Sequence, residues 1–319
     1  MDRHDSAAIA QAIVALGNWE AACKHNWALV PQTSEHPYLV MAVVERNEKS
    51  PVAARLMLFP GFTALRDFLL ARRVADFGVG ASPMEYSRYE LVAARDGRAE
   101  LIVYEAGFVP RKPTQAETAF LAPLLYECYG VMLRLDADAD LPRTYSKKNA
   151  LFARKEVSEN VWIDGPLKVP DENADPYTEK VALDRAKCEK VRSLLFAPAE
   201  EWEVDFFAVP AYQTRDVPAR CLYVLAAVDA KTGERMMWEK MSVDGKPDGL
   251  KRLWESVAQR MLDRFLARER VPGRLHVRSG RMMRFLRPLG LHVPFKLVQF
   301  QTLAMLEKTT QDVLRTGLI

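Results

Sequence analysis

The 319-residue chain lacks the residue patterns that mark most metal and cofactor chemistry. Its four cysteines, Cys23, Cys128, Cys188 and Cys221, stand far apart without a CxxC pair, which excludes zinc-ribbon and thioredoxin-type sites. They read as small buried hydrophobes. The five histidines, His4, His25, His36, His276 and His292, include no HxxxH or HExxH pair. A GxxxxGK(S/T) phosphate loop and a GxSxG nucleophile elbow are both missing. Gly78-Val79-Gly80 has neither a third glycine nor a following helix, and Pro83 comes too soon for a dinucleotide-binding turn. No cofactor is implied. No run approaches 18 consecutive apolar residues, so no membrane partner is expected. The charged start, Met1-Asp2-Arg3-His4-Asp5, lacks the apolar core of a secretion signal, and a cytoplasmic location is the expectation. Internal repeats and low-complexity tracts are absent as well.

What is present is ordinary globular composition, with 49% hydrophobic and 27% charged residues. The length suits two domains, and a chain this long buries enough surface to need no disulfide or metal staple. The net charge of +3 is unevenly spread. Residues 251–319 hold 14 Lys/Arg against 5 Asp/Glu, a balance of +9, which leaves about −6 on the rest. Such asymmetry points towards an anionic partner.

In the first half a helix is expected over Ser6–Cys23, with Gly17-Asn18 as an interruption. Strands follow at Pro37–Arg46 and Val52–Phe59, then a helix at Phe62–Val74. Tyr89–Ala94 and Glu100–Tyr104 flank Arg95-Asp96-Gly97-Arg98, a strong hairpin signal. Thr114-Gln115-Ala116-Glu117 reads as a capping box for a helix running to Leu135, which buries Phe120, Leu124, Leu125, Cys128, Met132 and Leu135. Asp136, Asp138 and Asp140 alternate like a calcium loop. The required glycine and twelfth-position glutamate are missing, since that place holds Lys147, so the segment reads as a solvated helix exit. Residues 143–177, with Pro166, Pro170 and Pro176, read as connecting chain with a strand at Glu159–Ile163. A helix at Glu179–Phe196 would complete the connection.

The last third has the most informative order. Strands are expected at Trp202–Pro210, Arg220–Val228 and Glu234–Val243, then a helix at Gly249–Arg268. A strand (Arg274–Arg278), a short helix (Arg281–Leu289), a strand (His292–Gln299) and a helix (Thr302–Thr316) complete it. The order β-β-β-α-β-α-β-α resembles that of ribonuclease H-like domains. The expected fold class is therefore α+β in two domains, with a ribonuclease H-like mixed sheet in the second. The boundaries expected are 1–142, a linker with a helix at 143–198, and 199–319.

The chain also resembles a group of uncharacterised bacterial two-domain proteins, each half being a domain of unknown function. In the first half the resemblance rests on the hairpin, on Ala106-Gly107-Phe108-Val109-Pro110 and on the capped helix with its acidic exit. In the second half it rests on Trp202–Pro210, on Val228-Asp229-Ala230-Lys231-Thr232-Gly233 and on Gly290-Leu291. The resemblance implies no activity.

Ribonuclease H-type cleavage uses two divalent metals held by three or four carboxylates. Asp205, on the first strand of the second domain, is the candidate first acid, and Glu255 and Glu307 are candidates for others. The end of the fourth strand, where an acid is required, holds Arg278-Ser279 instead. A cation there would repel magnesium. Asp229 reads as a turn residue. Arg270, Arg274, Arg278, Arg281, Arg284 and Arg287 follow one another with no intervening acid, and the last five are candidates for a nucleic-acid-binding stripe. The function expected is a non-catalytic binding or adaptor module acting on protein or nucleic acid. The alternative is a degenerate or atypical metal-dependent nuclease or phosphotransferase centred on Asp205.

Overall fold

A computed structural model of the chain describes residues 1–62, 64–65, 87–145, 150–169, 181–213, 219–246 and 248–316. Most of the expected helix Phe62–Val74, the Gly78-Val79-Gly80 turn, Lys147, Pro170, Pro176 and Glu179 lie outside the described residues. The described residues form two compact units of mixed helix and sheet. Among them no helix is long and apolar enough to cross a membrane.

The first unit opens with α1 (Ser6–Leu16), capped by the Asp5 carboxylate accepting the Ala8 amide at 2.9 Å. The helix breaks at Gly17, where φ is +68°, and resumes as α2 (Trp19–Ala22). A sheet follows from β1 (Trp27–Val30), β2 (Tyr38–Val44), β3 (Val52–Pro60), β4 (Arg88–Ala94) and β5 (Ala99–Tyr104). Asp96-Gly97 turns β4 into β5, with Gly97 at φ +83°. Helix α3 (Gln115–Ala137) then packs Leu121, Leu124, Leu125, Cys128, Val131, Met132 and Leu135 onto one sheet face. Its capping box forms: Thr114 Oγ1 accepts the Glu117 amide and Glu117 Oε2 accepts the Thr114 amide at 2.8 Å. Arg111 grips both Glu117 oxygens at 2.6 and 2.7 Å. This guanidinium holds the carboxyl down at about 2, against burial and together with the Thr114 bonds.

After the short α4 (Leu141–Tyr145) come β6 (Ala150–Ser158) and β7 (Val161–Lys168). The strand order is β5-β4-β3-β2-β1-β6-β7, antiparallel throughout except for the parallel β1–β6 pair. Residues 143–198 are therefore not a linker with one short strand. They supply a full hairpin to the first sheet, because β1 offers β6 an unpaired edge on which Ala28 meets Ala153. The expected helix over Glu179–Phe196 shrinks to α5 (Arg185–Val191), capped by Asp184. Leu195 and Phe196 already belong to the next strand.

The second unit contains β8 (Leu195–Gln213), β9 (Arg220–Asp229), β10 (Arg235–Ser242), α6 (Gly249–Arg268), β11 (Arg270–Val277), α7 (Gly280–Leu286), β12 (Lys296–Gln299) and α8 (Ala304–Arg315). Its strand order is β10-β9-β8-β11-β12, with β8, β11 and β12 mutually parallel and β9 antiparallel to both neighbours. Ala106–Val109 also belongs here, bridging β9 through Phe108 and Arg220. Alternation along β8 sends Trp202, Val204 and Phe206 to one face and Glu203, Asp205 and Phe207 to the other. The first face receives α6 and α7, with Trp254 edge-on to Phe206 at 4.7 Å and stacked on Phe285 at 5.3 Å. The second receives α8 through Leu303 and Leu306. Met282, Phe285, Leu286 and Leu289 are fully buried, as their spacing predicts.

Candidate functional site

The register of β8 against β11 sets out the candidate site. Arg274 lies opposite Glu201, His276 opposite Glu203 and Val277 opposite Val204, so the next step brings Arg278 to Asp205. With period-two alternation, three acids on β8 face three basic side chains on and just beyond β11. Arg274 Nη1 donates to Glu201 Oε1 at 3.0 Å, and His276 Nε2 lies 3.3 Å from Glu201 Oε2.

The third row is buried. Arg278 Nε lies 3.5 Å from Asp205 Oδ2, and its Nη2 lies 2.9 Å from Glu307 Oε1 on α8. The side chains of Arg278, Asp205 and Glu307 are 6%, 13% and 20% exposed. The Arg278 carbonyl accepts from Gln299 Nε2 at 3.0 Å, which fixes the end of β11 to β12. Burial pushes the Asp205 carboxyl up to about 6; the Arg278 charge and the Phe206 amide pull the other way, and Glu307 adds to the rise.

Glu203, one row back, caps α8. The helix has no capping side chain of its own at Leu303, and Glu203 Oε2 accepts the Leu306 amide at 2.7 Å. A carboxylate at a helix N-terminus also meets the positive end of the helix dipole. Burial raises the Glu203 carboxyl, with Glu307 adding to it, while the Leu306 and Met305 amides and His276 oppose the rise.

Asp205 and Glu307 are thus brought together as the sequence suggests, but around a guanidinium. Glu255 sits on α6, the helix on the opposite sheet face. Among the described residues no group of three or more His, Cys, Asp or Glu could hold a metal ion. The arginine stripe also needs correction, because its residues do not form one solvent-facing row. Arg274 answers Glu201, Arg278 is buried, and the Arg281 guanidinium lies over the Trp254 ring at 4.2 Å. Arg284 is half-buried, whereas Arg274 and Arg287 are exposed, one on a strand and the other at α7's end. The reason is periodicity: positions 274 and 278 follow a strand, whereas 281, 284 and 287 follow a helix.

Asp229 holds its expected turn. Its Oδ1 accepts the amides of Lys231 and Thr232 at 2.9 and 2.8 Å, and Gly233 follows at φ +73°. Burial would raise its carboxyl, yet the Thr232 and Lys231 amides outweigh it and leave it lowered.

One ion network in the first unit was not read from the sequence. Arg154 on β6 donates to Glu127 of α3 at 2.6 Å and to Asp164 of β7 at 2.9 Å, and Arg134 reaches Asp164 at 2.5 Å. The available signal was Glu127 itself, an acid on the apolar stripe of α3 between Leu124, Leu125 and Val131. A buried acid there demands a cation.

No protein-family model, no curated protein and no solved structure matches this chain.

Proposed function

We propose that the second unit is a ribonuclease H-like domain that binds and does not cut, in a chain of the uncharacterised bacterial two-domain type that its motifs resemble. The strand order β10-β9-β8-β11-β12 with one antiparallel member supports the fold reading. The observation that carries the functional reading is the position of Arg278. Its guanidinium stands between Asp205 and Glu307, where divalent ions would have to sit for phosphodiester hydrolysis. A fixed cation there pairs with both carboxylates and disfavours a second positive charge. Protein contacts are favoured over nucleic acid, because internal carboxylates and the Trp254 ring already engage Arg274, Arg278 and Arg281.

The test is incubation of the full chain with labelled single- and double-stranded DNA and RNA in the presence of excess Mg²⁺ or Mn²⁺. No cleavage is expected, and no heat of Mn²⁺ binding in calorimetry. Metal-dependent cleavage that disappears in Asp205→Asn would overturn the reading.

A further inference from the structure

We infer that the junction between β8 and α8 is a proton-regulated clasp: a proton taken up by the Glu203–Asp205–Glu307 group seats α8 on the sheet, and its loss loosens the helix. This stands on the geometry of the cluster and not on the fold reading above.

Among the described residues the charged groups that face the junction come from three elements. Strand β8 brings Glu203 and Asp205, β11 and its end bring His276 and Arg278, and α8 brings Glu307. Strand β9 brings none, since Ala226 and Val228 lie opposite Asp205 and Glu203. Three carboxylates therefore share one guanidinium and the partial positive charge of the α8 N-terminus. Fully ionised, the group carries excess negative charge in a buried place, and Asp205 and Glu307 compete for Arg278. A proton on Asp205 ends that competition and leaves Arg278 to Glu307, which rides on α8. His276, opposite Glu203 on β11, opposes the rise of the Glu203 carboxyl.

Helix α8 is the element that feels this. Its apolar hold on the sheet is narrow: Leu306 and Val313 are its buried aliphatics, Leu303 just precedes it, and Thr310 is the remaining buried residue. Two of its polar fastenings, the Glu203 cap and the Glu307–Arg278 pair, belong to this cluster, and a third, Thr309 Oγ1 donating to the Gly233 carbonyl at 3.4 Å, lies outside it.

Hydrogen exchange by mass spectrometry on the full chain tests the clasp. Peptides covering 303–316 are compared at pH 5 and pH 8 after correction for intrinsic exchange. Asp205 at about 6 when α8 is docked, and at its ordinary value when released, changes the opening equilibrium about tenfold across that interval. Protection of α8 should fall about tenfold at pH 8, while β9 peptides stay level. Asp205→Asn should protect α8 equally at both pH values. Should that variant fail to fold, Asp205→Ser removes the same carboxyl in a smaller side chain and should flatten the dependence in the same way. Equal protection of wild-type α8 at both pH values overturns the clasp. So does a full tenfold change retained in whichever variant folds.

Discussion

Replacing Arg278 with methionine keeps the length of the side chain and removes its charge. The neighbours then decide the outcome. Arg278 lies 2.9 Å from Glu307 and 3.5 Å from Asp205, and all three side chains are largely buried. At an effective dielectric of ~20, unit charges at these separations attract by roughly 6 and 5 kcal/mol before desolvation is counted. Desolvation of the guanidinium offsets most of that. What remains measurable is the penalty of stranding buried carboxylates, which for one broken pair is about 3–5 kcal/mol. Arg278→Met should therefore destabilise the protein by about 3–5 kcal/mol at pH 7.

The same substitution should cost about half as much at pH 5. Asp205 titrates at about 6, so at pH 5 it is mostly neutral and the variant strands one charge instead of two. The triple variant Arg278→Met/Asp205→Asn/Glu307→Gln should recover most of the loss, because uncharged groups of similar volume replace an ion cluster with little net effect. Differential scanning calorimetry on the three proteins at both pH values gives the comparison, the transition of the second unit being the one that should move. If Arg278→Met lies within ~1 kcal/mol of wild type at both pH values, the electrostatic account of this cluster is wrong.

Asp205→Asn tests the linkage alone. The folded carboxyl is raised from 3.8 to about 6, so its stabilisation is complete below the ordinary value and is lost as pH rises through 6. That amounts to about 3 kcal/mol between pH 3.5 and pH 7, and the variant should lack this slope in pH-dependent urea unfolding. Gly273→Ala should destabilise by more than about 3 kcal/mol in the same urea assay, because a Cβ there would stand 2.3 Å from the Pro198 carbonyl oxygen, which is backbone and cannot rotate away. Asp229→Ala removes the acceptor of the Lys231 and Thr232 amides and should cost about 1–2 kcal/mol, read as a lowered Tm with unchanged circular dichroism.

Local signals were the most readable part of this chain. The capping box at Thr114, the Asp96-Gly97 turn and the Asp229 turn each depend on residues within four positions of one another. The element order of the second half was readable too, since each strand there is a separate apolar-rich run bounded by turn or helix signals. The first sheet was harder. Strand β1 is only four residues long, and its partner β6 lies more than 120 positions away, so no local pattern announces their pairing. Strand β7 is an edge, with Val161 and Ile163 exposed and Pro166 among them, and only its start falls in the strand expected at Glu159–Ile163. Ala106–Val109 misled in another way. The motif looks like the end of the first hairpin, yet it joins the second unit, where Gly107 at φ +91° lets the backbone pass close to Val243.

The arginine run shows why a list of charges is a poor guide to a surface. From Arg270 to Leu306 the chain has no acid at all, and the run looks like an invitation to a polyanion. Its acids are supplied from β8, at Glu200, Glu201 and Asp205, once the two strands lie side by side. Sequence spacing cannot reveal that, because the register of parallel strands is set by packing some 70 residues apart. The result is an internal cross-link with a physical advantage over a bound ion. A metal held by Asp205 and Glu307 could be lost to dilution or to a chelator. A guanidinium attached to the chain cannot be, so its hold on Asp205 and Glu307 needs no ion from the surroundings. On the reading proposed above, the same cation closes the place where hydrolytic chemistry would need an exchangeable one.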